Sequence, residues 1–128
     1  MSSLLQTLGS AASGMSSQSE RIRVVSENVA NVDTPGYRRK MLTFDTEMTA
    51  GSARVKAGRV DLDRSDLTES FEPSHPMADA NGYVKLSNVD IAVEIADARE
   101  AQRSYEANLS IFDQARRMYG GVLDLLRR

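Results

Sequence analysis

Residues 88–128 read NVDIAVEIADAREAQRSYEANLSIFDQARRMYGGVLDLLRR. Alternate steps of four and three through this stretch land on Ile91, Ile95, Ala98, Gln102, Tyr105, Leu109, Phe112, Arg116, Tyr119, Leu123 and Leu126. An apolar repeat averaging 3.5 residues keeps one narrow stripe on one side of a helix, where a partner helix can cover it. The same spacing recurs at the front of the chain, through Leu4, Leu8, Ala11, Met15, Gln18, Ile22, Val25, Val29 and Val32. Only Gln18, Gln102 and Arg116 break the two series. A stripe cannot bury itself, so these helices pack on each other, on other chains, or on both. The expected fold is mainly α: long N- and C-terminal helices packed as a coiled-coil-like pair, with an irregular middle containing short β-hairpin elements.

The boundaries follow from local signals. A first helix is expected over Ser3–Asn31, within an N-terminal segment 1–32. Its first half is rich in serine (Ser2, Ser3, Ser10, Ser13, Ser16, Ser17, Ser19) and holds Gly9 and Gly14. Each glycine costs about 1 kcal/mol against alanine in a helix interior, so packing must supply what propensity does not. Pro35 disfavours helix at Thr34, and Gly36 supplies the positive φ that a type II turn needs at its third position. Thr34-Pro35-Gly36-Tyr37 is therefore a tight turn. The second helix is expected to start at Ser87 or Asn88, either of which can cap it, and to fill a segment 88–128. Acidic residues (Asp90, Glu94, Asp97) near its start and arginines toward its end complement the helix dipole. Gly120-Gly121 is a soft point near the end.

Between the helices, residues 33–87 lose the repeat. Leu42, Phe44 and Met48 are scattered, Val60-Asp61-Leu62-Asp63 alternates as a short strand does, and Pro73 and Pro76 enforce extended chain. Asn81-Gly82 signals a type I′ turn, followed by strand-like Tyr83-Val84-Lys85-Leu86. The reading is an irregular segment with one or two short hairpins, forming one assembly domain with the helices.

Composition narrows the function class. Aromatics are only 5%, and tryptophan is absent; few residues can supply the 150–250 Å² that a large ring buries. A helix pair with so poor a middle leaves a face exposed, which favours an assembly protein over a self-contained enzyme. The formal charge is −2 with both signs interspersed, and the single basic run, Arg38-Arg39-Lys40, is too short for a nucleic-acid footprint. It reads as a solvated or acid-paired cluster. With no cysteine, the chain has no thiol chemistry and no thiolate metal site. No transmembrane segment and no cleaved secretory signal are expected: no window reaches 18 apolar residues, and no charge precedes Glu20. His75, the one histidine, has Asp79 four residues on, but acid–base chemistry needs a third partner. It reads as a turn histidine held between Pro73 and Pro76, with no metal, cofactor or catalytic residue expected.

The stretch Val29–Tyr37 resembles the signature of bacterial flagellar axial proteins, carried here by Ala30, Asn31, Thr34, Pro35, Gly36 and Tyr37; Ser13-Gly14-Met15 and Arg21 fit the same pattern. Residues Glu72–Val84, with Asn88-Val89-Asp90 after them, resemble the proximal rod proteins of that family through Pro73, His75, Pro76, Asp79, Gly82 and Tyr83. Ala101–Asn108 is also similar, so the likeness covers nearly the whole chain. Ser74, Ser87 and Ile95 depart mildly from it, standing where glycine, proline and methionine are usual. The resemblance implies export without signal cleavage by the flagellar type III apparatus, then polymerisation in the periplasm into the rod that joins motor ring to hook. The implied partners are copies of the chain and neighbouring rod proteins. The helix–helix or subunit contact would be made by Leu4, Leu8, Met15, Ile22, Val25 and Val29 with Ile91, Ile95, Tyr105, Leu109, Phe112, Tyr119, Leu123 and Leu126. The alternative is a soluble two-helix adaptor or export chaperone that binds a client through its helical face.

Overall fold

A computed structural model describes residues 2–128; of the expected N-terminal segment, Met1 lies outside the described residues. Helix α1 spans Ser2–Ala30 and helix α2 spans Ile91–Leu126. They run antiparallel, since Gly14 lies against Asn108, Arg21 pairs with Asp97, and Asn28 bonds Glu94. The buried apolar residues are Ala11, Val24, Val25, Val84, Val89, Ala101 and Ala115. All are alanine or valine, so the helices approach closely over small side chains and the larger ones stay near the surface.

The turn after α1 has the expected geometry. Tyr37 N donates to Thr34 O (3.1 Å), and Gly36 has φ +76°. Asn31 braces it, donating to Glu27 O (2.8 Å) and accepting from the Thr34 hydroxyl (3.1 Å). Gly36 N then reaches Leu86 O (2.8 Å), and Tyr37 bridges Ser87. These bonds bring the end of α1 beside the approach to α2.

That junction relocates the second helix's cap from Ser87 or Asn88 to Asp90, whose carboxylate accepts from Ala92 N (3.0 Å). The two expected caps are otherwise engaged. Ser87 donates to Val32 O, while Asn88 accepts from Arg39 N (2.6 Å) and donates to Asp63 O (2.9 Å). The helix then continues through Gly120-Gly121, which face open space.

The middle is more regular than its composition suggests. Strand β1 (Lys40–Thr49) pairs antiparallel with β2 (Ser52–Leu62) as one long hairpin. Ala50 (φ +49°) and Gly51 (φ +78°) form its two-residue turn, the geometry that matches strand twist. A register shift between Leu42 and Phe44 breaks the ladder. Leu42, Phe44 and Met48 are thus positions on a strand, not scattered residues.

A smaller hairpin joins β3 (Glu69–Phe71) to β4 (Tyr83–Lys85). Its tip is not the type I′ turn expected at Asn81-Gly82: only Gly82 has positive φ (+86°). Gly82 N donates to Asp79 O (3.0 Å) and Asp79 N to Tyr83 O (2.9 Å), a type I turn followed by a glycine bulge. The Asp79 carboxylate holds Asn81 N and Tyr83 N, each at 2.9 Å, and so keeps Asn81 out of the left-handed region. A Cβ on Gly82 would lie 2.9 Å from the Phe71 ring, which stacks edge-on against Tyr83 at 5.2 Å. Gly82→Ala is expected to lose about 1–3 kcal/mol through backbone strain and this clash. Hydrogen exchange at residues 72–84 is the check, with faster exchange the expected result.

Candidate assembly interface

The contact between the helices does not run along the centre of the apolar stripes. On α1 the buried positions are Ala11, Gly14, Ser17, Val24, Val25 and Asn28; on α2 they are Glu94, Ala101 and Ala115. Met15, Ile22 and Val29 are each displaced by one position from Gly14, Arg21 and Asn28. Ile95, Gln102, Leu109 and Arg116 are likewise displaced from Glu94, Ala101, Asn108 and Ala115. Small and polar residues make the seam, and the larger apolar ones stand beside it.

Both displacements go to the same side. Ser19 and Ile22 of α1 share one cleft with Gln102 and Tyr105 of α2. By helical periodicity, Leu4, Leu8, Met15 and Val29 follow Ile22 along one wall, and Ile91, Ile95, Leu109 and Leu123 line the other. The hairpin lies on the opposite side, where Ser52 shares a cleft with Ser10, Asn108 and Ile111. The two stripes therefore converge on one long groove.

The residues singled out from the sequence fall into three environments. Val25 is buried in the seam; Leu4, Leu8, Met15, Ile22, Tyr105, Phe112 and Tyr119 are half-buried at its border. Val29, Ile91, Ile95, Leu109, Leu123 and Leu126 are exposed, from 36% at Leu123 to 70% at Leu126. Leu123 and Leu126 lie in the last turn of α2.

The axial-type turn is tied to the helices through a buried polar cluster. Asn28 and Glu94 are both fully buried. Asn28 donates to Lys40 O (2.9 Å) and to Glu94 (3.3 Å), and accepts from Lys40 N (2.9 Å) and from the Tyr37 hydroxyl (2.8 Å). Arg39 closes an ion pair on Glu94, and Lys40 one on Glu27. Burial, and after it the Glu27 charge, push the Tyr37 phenol above its ordinary pKa. The cluster joins the last turn of α1, the turn, β1 and the first turn of α2. The basic run is thus acid-paired at Arg39 and Lys40, while Arg38 donates to Asp63 O (3.3 Å) and Ser65 O (3.1 Å).

The rod-type loop is an ordered knot on the surface. Pro73, Pro76 and Asp79 are exposed, His75 is half-buried, Gly82 is buried and Tyr83 is exposed. His75 Nδ1 accepts from Met77 N (3.0 Å), so the imidazole serves the turn. Among the described residues no group of His, Asp and Glu is placed to hold a metal ion, and no helix is long and apolar enough to cross a membrane.

By intrinsic propensity the serines of α1 are only weak helix formers. In the structure they hold the hairpin. Ser10 donates to Ala53 O (2.7 Å), Ser17 donates to Val55 O (3.1 Å), and Ser13 accepts from Val55 N (3.1 Å). These hydroxyls satisfy the outer edge of β2, which would otherwise be an open pairing edge. Gly9 and Gly14 have a matching role: a Cβ would lie 2.6 Å from the Arg54 guanidinium at Gly9, and 2.7 Å from the Asn108 carboxamide at Gly14. Replacing Ser10, Ser13 and Ser17 together by alanine is expected to raise helix propensity yet loosen the hairpin. Amide exchange at Val55 should rise at least about tenfold, the loss of roughly 1.4 kcal/mol of local protection. Unchanged exchange there would refute the assignment.

Residues 8–38 match the family described as flagella basal body rod protein, and residues 80–125 match that described as flagellar basal body rod FlgEFG protein C-terminal. The first match spans most of α1 and the turn; the second spans β4 and nearly all of α2. The chain is 46% identical over 126 residues to the flagellar basal-body rod protein FlgC of Agrobacterium fabrum, covering 91% of each chain. It is 35% identical over 130 residues to the Salmonella typhimurium FlgC protein, covering 95% of this chain and 97% of the relative. It is 29% identical over 152 residues to the Borreliella burgdorferi FlgC protein, covering 97% and 98%.

Proposed function

The chain belongs to the FlgC family of flagellar basal-body rod proteins, and from that premise we propose how it serves as a structural rod subunit: by assembly through its helical faces, not by catalysis. It packs with copies of itself and with neighbouring rod proteins into the proximal part of the drive shaft that carries torque from motor ring to hook. The observation that supports this reading is the groove away from the hairpin, where two regular apolar stripes lie side by side and only partly covered. A self-sufficient monomer has no use for stripes that its own seam bypasses.

The working site is the periplasm, and the route is the flagellar type III export apparatus, without cleavage of a signal. A helix pair held over alanine, glycine and serine suits that route: little large apolar surface is locked inside, and a neighbour completes the burial. Assembly then adds burial that the separate chain lacks, and the interface offsets the entropy of ordering its surface side chains.

The test is deletion of the gene followed by electron microscopy of isolated cell envelopes, with the wild-type copy restored as control. Basal bodies arrested without a rod and rescued by the restored gene are the expected result; intact rods and hooks in the deletion strain would reject the reading.

A further inference from the structure

A compact monomer of 14.1 kDa exposes about 6,700 Å² by the surface–mass relation for monomeric proteins. This chain exposes 8507 Å², an excess of about 1,800 Å² over that relation. A standard interface takes about 800 Å² from each partner, so the excess leaves room for two such patches. An isologous dimer would cover only one. A head-to-tail array covers two different patches on every copy, which requires two unlike, complementary faces on one chain.

The groove is the first face, with Met15, Ile22, Tyr105 and Leu109 among its large side chains. The second is the far side of α1, where Ala12, Ser16, Arg23 and Ser26 fall on one face at spacings of four, seven and three. Ala12, Ser16 and Ser26 are exposed, and unlike Ser10, Ser13 and Ser17 they make no side-chain hydrogen bond among the described residues. Between Ala12 and Ser16 the helix carries no charged side chain, so burying this part of the ridge takes none of its own charges out of water. Large side chains on one surface and small ones on the other interdigitate, whereas two large faces hold helices apart.

We propose that the small-residue ridge of α1 in one copy seats in the groove between α1 and α2 of a second copy. Leu109 of the receiving copy enters between Ala12 and Ser16 of the donor. Within one chain Gly14 lies level with Asn108, so this seating keeps the two copies in step along the helix axis. The proposal rests on the rod-subunit reading and specifies which surfaces meet.

The absence of native cysteine makes the contact directly testable. A strain carrying Ser16→Cys together with Leu109→Cys is oxidised, and its isolated basal bodies are run on a non-reducing gel. Cross-linked dimers from the double variant, absent from either single variant, are expected. Dimers from Leu109→Cys alone would show groove meeting groove and overturn the proposal; so would wild-type assembly of the double variant with no cross-link. A second pair of variants covers the case in which the cysteines themselves block assembly. Ser16→Leu is expected to abolish swimming, and Leu109→Ala added to it is expected to restore at least half the wild-type swarm diameter. Wild-type swimming by Ser16→Leu, or no recovery with Leu109→Ala, would overturn the seating. Failure of the rod reading is separable, since it would appear as intact rods in the deletion strain itself.

Discussion

Arg39→Ala is expected to destabilise the fold by about 3–5 kcal/mol, the usual result of leaving a buried charge without its partner. Glu94 has no solvent exposure, and with Arg39 gone its remaining hydrogen-bond partner is the Asn28 carboxamide at 3.3 Å. Because Arg39 is itself 20% exposed, water can reach the vacated position and the loss should fall near the lower figure. Glu94→Gln in the same chain removes the stranded charge while keeping a hydrogen-bonding side chain, so the double variant should recover more than half of the loss. Urea denaturation of the single and double variants measures both. A single variant within 1 kcal/mol of wild type, or a double variant no better than the single, would refute a structural role for the pair. The effect reaches beyond one contact because Asn28 also holds Lys40 and Tyr37. Losing Glu94 from the cluster loosens the turn that sets where α2 begins.

Much of this architecture was legible from spacing alone. The helix pair follows from the 3.5-residue repeat, and the type II turn follows from Pro35 and Gly36, whose backbone preferences are local. The side of each helix that faces its neighbour was not legible in the same way. A hydrophobic stripe reports what is to be buried, without saying which partner buries it. Here Gly14, Ala101 and Ala115 allow the helices to close at one position's rotation from the stripe centre, and Asn28 with Glu94 rewards that rotation with a satisfied polar cluster.

Other features escaped for reasons of chemistry. Ser10, Ser13 and Ser17 look like poor helix formers because propensity scales measure isolated helices, whereas their value here lies in bonding another segment's backbone. The long hairpin was hidden by its irregularity: between Leu42 and Phe44 the register shifts, so Ala57 and Val60 do not keep period-two spacing with each other. Its turn, Ala50-Gly51, places an alanine at positive φ, which a search for Asn-Gly or Asp-Gly does not find. At Asn81-Gly82, where that signal exists, the Asp79 carboxylate selects a different turn. Ser87 was a reasonable cap until the return of the chain at Tyr37 claimed it. In each case the deciding partner lies far away in sequence.

Leu8→Asp is expected to abolish rod assembly while leaving the amount of protein in the cell unchanged. Leu8 is half-buried at the border of the groove, on the wall it shares with Met15 and Ile22. Assembly would bury it further, so aspartate loses the apolar contact and forces a carboxylate out of water. The first effect is worth about 1–1.5 kcal/mol, half the value for a leucine buried from full exposure, and an unpaired buried charge costs several more. Together they exceed about 4 kcal/mol, roughly a thousandfold in the affinity of each subunit contact. In a repeating array the same defect is present in every copy. Leu8→Ala loses only the first part and should lower rod yield without eliminating it. Leu123→Asp provides the contrast that separates folding from assembly. Leu123 lies in the last turn of α2 and is 36% exposed, so this variant should lose less in unfolding than Leu8→Asp and still fail to build rods. Counting rods in envelope preparations, alongside denaturation of the purified chains, reads both effects. Normal rods from either aspartate variant would remove the stripes from the interface.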